Sequence, residues 1–186
     1  MISLQKFLFN SEVAGAFDMK SAALYERQRA LVRAGLLPQA STRGRNSGGA
    51  MATPDTVALI VLSILVTDNL SEVDERMAVW ADLRAIEERF IKGQGVILRV
   101  GRCHFTNQKT LHKALAKVIT DTGGNLEIEL NRKMMIADIV DMSGQSAGSR
   151  FGRIHPGAGI QLKATFDGLF TLGQLLEIHS PAQVQR

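Results

Sequence analysis

Apolar residues recur at intervals of three and four through the first half of the chain and at intervals of two through most of the second, so the sequence reads as helices followed by strands. Leu4, Phe7 and Leu8 predict a short helix over residues 3–9. Two more helices are predicted over residues 11–17 and 22–34, joined by a tight turn, with Gly35 and Pro38 as stop signals. Ser11 and Ser21 stand where capping side chains belong. Thr53-Pro54-Asp55 marks a further start, with Thr53 as cap and Pro54 at the first helical position. The helix it opens carries residues 57–66, apolar nearly all round, and needs cover on more than one side. Val73, Met77, Trp80, Leu83, Ile86 and Phe90 continue the three-four spacing and predict one amphipathic helix of about twenty residues over 71–92.

Beyond Lys92-Gly93-Gln94-Gly95 the period changes. Residues 96–100 predict a strand, and residues 106–122 a helix with Leu111, Leu115, Val118 and Ile119 inward and Lys109, Lys113 and Lys117 outward. Strands are expected over 126–130, 134–140 and 160–166, with a glycine-rich loop at 143–159 that holds a short strand at 151–154. A closing helix is expected over 167–178. The fold class is therefore α+β, divided into an N-terminal helical domain (1–70), a linking helix (71–92) and a small domain of about four strands and one good helix (93–186).

At 100° per residue, Leu24, Gln28, Leu31 and Val32 share one side of the third helix. Ala22, Tyr25, Glu26, Arg29 and Arg33 share the other, an outer face that is basic with one aromatic. After Pro38 comes a polar, glycine-rich stretch, residues 39–50, with Arg43 and Arg45 and no acid, which reads as a flexible hairpin tip beside the helix pair.

Residues 13–37, followed by Arg43-Gly44-Arg45 and Thr53-Pro54, resemble a winged helix-turn-helix domain of bacterial and phage regulators, in the MerR-type arrangement where a Gly-Leu-Leu-Pro turn leads into the wing. The pattern departs from the common one at Asp18, where a glycine often makes the turn. The resemblance implies double-stranded DNA as partner. Lys20, Ser21, Tyr25, Arg29 and Arg33 would then meet the major groove and its flanking phosphates, and Arg43 and Arg45 the backbone or a minor groove. The competing interpretation is a plain helical hairpin with a solvated basic face.

Charge sharpens this picture. Residues 1–50 hold seven Lys/Arg against three acids, residues 51–93 four against eight, and residues 94–186 eleven against seven, so basic surface lies toward both ends of the sequence and the middle is acidic. Only one cysteine, Cys103, is present, which excludes an internal disulfide framework and fits a reducing cytoplasm. Residues 1–9 lack the charged start and long apolar core of a secretory signal, and the run 57–66 is too short to span a bilayer. His104, His112, His155 and His179 follow no metal-ligand spacing, and the Gly144–Gly159 stretch lacks the Gly-Lys-Ser/Thr ending of a phosphate loop, so neither metal, cofactor nor catalysis is expected.

The expectation is a non-enzymatic transcriptional regulator that binds DNA as a homodimer or higher oligomer, because one such module buries too little surface for tight specific binding. Val73, Met77, Trp80 and Leu83, along the apolar stripe of the linking helix, either pack on their own domain or form a dimer seam. A DNA-packaging or recombination accessory protein resembling a small terminase, or an inhibitor or adaptor that binds a protein through the C-terminal domain, would fit the same residues.

Overall fold

The computed structural model describes residues 2–39, 49–91, 95–121, 126–142, 148–152 and 163–166. The chain runs α1 (Leu4–Leu8), α2 (Ser11–Ala16), α3 (Ser21–Arg33), α4 (Pro54–Val66), a 3-10 turn (Leu70–Glu72) and α5 (Val73–Trp80). It continues with β1 (Ala85–Ile91), β2 (Gly95–Val100), α6 (Leu111–Thr120), β3 (Leu126–Asn131), β4 (Ile136–Asp141), β5 (Gly148–Gly152) and β6 (Lys163–Phe166). The fold is mixed α+β, with one antiparallel sheet in the order β2-β1-β5-β4-β3-β6. Among the described residues the sheet has six strands; β2 to β6 overlap the segments expected as strands, and β1 is the addition. The regions of Arg43 and Arg45, and the closing helix expected over 167–178, lie outside the described residues.

Helix ends follow local chemistry. Thr53 and Thr56 form a reciprocal capping box at the start of α4, with Pro54 inside the first turn, as anticipated. The caps of α2 and α3 fall one residue earlier than expected. The Asn10 side chain accepts from the Glu12 amide (2.8 Å), making Ser11 the first helical residue, and Lys20 occupies the N-cap of α3 without a side-chain cap bond. Both helices end in the same way. Asp18 (φ 48°) and Gly35 (φ 72°) adopt the left-handed conformation, while the amides of Met19 and Leu36 reach back to the carbonyls of Ala14 and Leu31. Asp18 thus supplies the conformation for which glycine is common, since a short polar side chain tolerates it.

The apolar helix α4 sits at the centre of the packing. Helices α3, α5 and α6 and strand β6 all contact it, and Val57 to Leu62 are buried without interruption. The sheet presents Ala85, Phe151, Ala137 and Leu130 as one buried cross-strand row, with Ile128 and Ile139 beside it. Residues from both sides of position 93 share one hydrophobic core, and β1 pairs with β2 from Ile86↔Val100 to Ile91↔Gly95. The expected domain boundary at residue 93 therefore falls between two paired strands.

The single helix expected over 71–92 is corrected to a 3-10 turn, the short helix α5 and the strand β1. Its apolar stripe is not a seam open to another copy. Val73, Met77, Trp80 and Leu83 are all buried within one chain, Met77 completely. The helix stops at Trp80 for a tertiary reason. The carbonyls of Leu83 and Ala81 accept from the amides of Leu111 and His112 (2.9 and 3.4 Å), the orphan donors at the start of α6. A helix continuing through these residues would direct those carbonyls along its own axis. Likewise α6 begins at Leu111, five residues later than expected, because Ala85 bonds Lys109 and Arg84 bridges Thr110 on the way in.

Met77→Ala is therefore expected to lower stability by about 2–5 kcal/mol, the usual cost of a cavity at a fully buried site. Denaturant titration would show a lower midpoint at unchanged slope, with the solution mass unaltered. A changed mass at unchanged stability would restore the seam.

Candidate nucleic-acid interface

Helix α3 carries the residues expected to meet DNA, but its buried arc is rotated from the one read off the sequence. Leu24, Arg27, Ala30 and Leu31 are buried, whereas Gln28 and Val32 are only half-buried. The rotation is about 75° at 100° per residue. It leaves Ala22, Arg29 and Arg33 exposed, with Ser21, Tyr25 and Glu26 half-buried and Lys20 exposed at the cap. All five residues expected on this helix thus fall on its outer arc or at its start. Arg29 is engaged there by Glu26 (3.0 and 3.3 Å) in a pair exposed on both sides, and Tyr25 packs against the exposed ring of Phe9, centroids 5.8 Å apart.

The stretch that follows α3 leaves at Leu37, which is buried, and returns to the N-terminus. Leu4 donates to Ala50 (2.8 Å) and Ala52 to Ile2 (3.0 Å), with a bridge between Ser3 and Met51. Arg43 and Arg45 fall in the sequence between these anchored ends.

The rotation of α3 has an identifiable cause. Arg27 is 5% exposed and its guanidinium donates to the carbonyl of Ser63 near the C-terminal end of α4, while its Nε has no partner among the described residues. Burial lowers the guanidinium pKa from its ordinary value, with Asp68 opposing that shift and Arg132 adding to it. Arg132, from the turn between β3 and β4, reaches the same helix end. Its Nε donates to Leu65 O (2.6 Å), and its two terminal nitrogens hold Asp68 at 2.8 and 3.2 Å. A helix C-terminus carries partial negative charge, so two arginines complement it. The Asp68 carboxyl is held below the usual carboxylate range, foremost by its hydrogen bond from Arg132. Partial burial opposes this, and the charges of Arg132 and Arg27 add to it.

Neither arginine stands among the site residues expected from the sequence. Arg27 was legible, because it stands at i+3 from Leu24 and i−4 from Leu31 and so falls inside the apolar arc. Arg132 carries no local signal, since its partners are more than sixty positions away.

On its far face the sheet forms an open trough of about 1140 Å³. Glu87, Glu129, Asp138, Arg102 and Arg150 line it, and Arg150 holds Asp138 at 2.9 and 3.4 Å. Arg150, which falls within the glycine-rich loop expected over 143–159 and outside its short strand, is instead a residue of the interior strand β5. Cys103 is buried, and the His104 amide donates to Ser149 Oγ (2.6 Å). Among the described residues no group of three His, Cys, Asp or Glu side chains is arranged to hold a metal, and no single helix is long and apolar enough to cross a membrane. Compared with protein families, characterised proteins and solved structures, the chain finds no match.

The sign of the Asp68 shift gives a pH dependence. A carboxyl whose folded pKa is depressed stabilises the fold above its unfolded value near 3.8, and that contribution is lost as pH falls through the folded value. Asp68→Asn should therefore flatten the fall of stability below about pH 4. The effect should stay under about 1 kcal/mol, because the carboxylate is largely solvated. Urea midpoints across the acid range measure it, and a slope identical to the parent chain's would remove Asp68 from this helix cap.

Proposed function

We propose that the chain is a double-stranded DNA-binding transcriptional regulator of bacterial or phage type, with α3 as recognition helix and with Arg43 and Arg45, expected on a wing, as further contacts to DNA. The observation that carries the reading is the outer arc of α3, which follows a tight turn from α2 and holds Lys20, Arg29 and Arg33 in solvent while α1, α4 and α5 cover its other side. The glutamate on Arg29 is no obstacle. An exposed pair of this kind contributes about 0–1 kcal/mol, less than a charge-assisted bond to phosphate returns. In such modules the first turns of the recognition helix approach base edges, which assigns Ser21 and Tyr25 to the groove and Arg33 to the flanking backbone.

Arg29→Ala with Arg33→Ala should weaken binding to duplex DNA about tenfold or more, with circular dichroism unchanged. Fluorescence anisotropy at several salt concentrations should show the slope of log affinity against log salt becoming shallower by roughly 0.9 for each phosphate that the variant no longer neutralises. Replacing Arg43 and Arg45 by alanine should lower affinity on all sequences alike. Undiminished affinity in the folded α3 variant would overturn the assignment.

A further inference from the structure

Strand β2 is the outermost strand of the sheet, and among the described residues nothing pairs with its far side. Which of its backbone groups face outward follows from the hydrogen bonds around β1. In an antiparallel pair, residues alternate between those that exchange bonds with the partner and those whose N–H and C=O turn away. The Gly101 amide donates to the Ala85 carbonyl (2.8 Å), one step beyond the Ile86↔Val100 pair. Gly101, Arg99, Ile97 and Gly95 are therefore the residues bonded to β1, and Val96, Leu98 and Val100 turn their backbone groups outward. The other side of β1 is in phase with this. The Gly152 amide donates to the Arg84 carbonyl (3.0 Å), so Arg84 and Ile86 face β5 while Ala85 and Glu87 face β2.

Natural sheets protect such an edge with short strands, prolines or charges. The opposite edge strand, β6, is four residues long and begins with Lys163. β2 has six residues without proline; its one charged residue, Arg99, is among those bonded to β1, its outward-turned residues are Val, Leu and Val, and Val100 is 72% exposed.

We propose that two copies of the chain join along this edge, β2 antiparallel to β2, about a two-fold axis at Leu98. The outward set is symmetric about that residue, so the strand is its own complement. Leu98 faces Leu98 of the second copy and Val96 faces Val100, closing up to about six backbone hydrogen bonds. Ile97 then lies opposite Arg99 of the second copy, so no like charges meet. The product is one sheet continuous across both chains. A single strand pair buries well under the roughly 1,600 Å² of a standard interface, so the association is concentration-dependent. It stands independently of any binding to DNA.

Hydrogen exchange on the full chain, dilute and concentrated, tests this directly. On concentrating, the amides of Val96, Leu98 and Val100 should slow about tenfold or more, while Ile97 and Arg99, already bonded to β1, should not change. The mass by light scattering should double over the same range. Leu98→Pro removes an outward N–H but no bond to β1, so it should keep the parent's circular dichroism and remain a monomer. A parent chain that stays monomeric at every concentration, a dimer that persists in folded Leu98→Pro, or a dimer formed without protection of the three alternate amides would each overturn the proposal. Should Leu98→Pro fail to fold, the exchange pattern of the parent chain decides alone.

Discussion

A helix that is apolar around its whole circumference must be covered on every side, and the rest of this fold is the means by which α4 is covered. Helices α3 and α5 approach it from within the N-terminal half of the chain, α6 and β6 from the C-terminal half. Because the two halves share this helix, described residues of both contribute to one core. The long-range contacts come at both ends of α4. At its start, Asp55 holds Lys113 (2.8 Å) and its carbonyl meets His112 Nε2 (2.9 Å). At its end, the carbonyls of Ser63 and Leu65 meet Arg27 and Arg132.

That second end is where packing meets the proposed function. Arg27 belongs to α3, Arg132 to the hairpin of the sheet, and Asp68 lies close enough to both to influence each electrostatically. A buried cation is stable only with its polar neighbours in place, because leaving it unpaired costs several kcal/mol. Arg27 therefore constrains the rotation of α3 more tightly than its leucines do, since apolar contacts are non-directional and a hydrogen bond to one carbonyl is not. The outer arc that carries Arg29 and Arg33 follows from where Arg27 is held.

The sheet divides its two faces between packing and solvent. Along β3, Ile128 and Leu130 go inward and Glu127 and Glu129 outward, the alternation expected for a half-exposed strand. The outer face carries one cross-strand row through Ile86, Arg150, Asp138 and Glu129, with paired charges at its centre. The edge at β2 continues this sheet to a boundary that no other described strand closes.

What the sequence determined by itself is what nearest neighbours along the chain decide. The cap at Thr53, the stop at Gly35, the apolar run of α4, the inward face of α6 and the alternation of β3 all rest on interactions within a few residues, and all were readable. The stretch from Val73 to Ile91 was not. Val73, Met77 and Trp80 form a true helical stripe, and Leu83, Ile86 and Phe90 extend it numerically, so local periodicity favoured one long helix. Tertiary structure decided otherwise, because β2 offers Ile86 to Ile91 a ladder, β5 pairs with Ala85 and Ile86 on the other side, and the first amides of α6 need the carbonyls of Ala81 and Leu83. The candidate interface divides in the same way. Its basic residues were visible in the spacing of α3, but the direction in which that helix presents them was set by Arg27 on a carbonyl thirty-six positions away, a contact that no local pattern encodes.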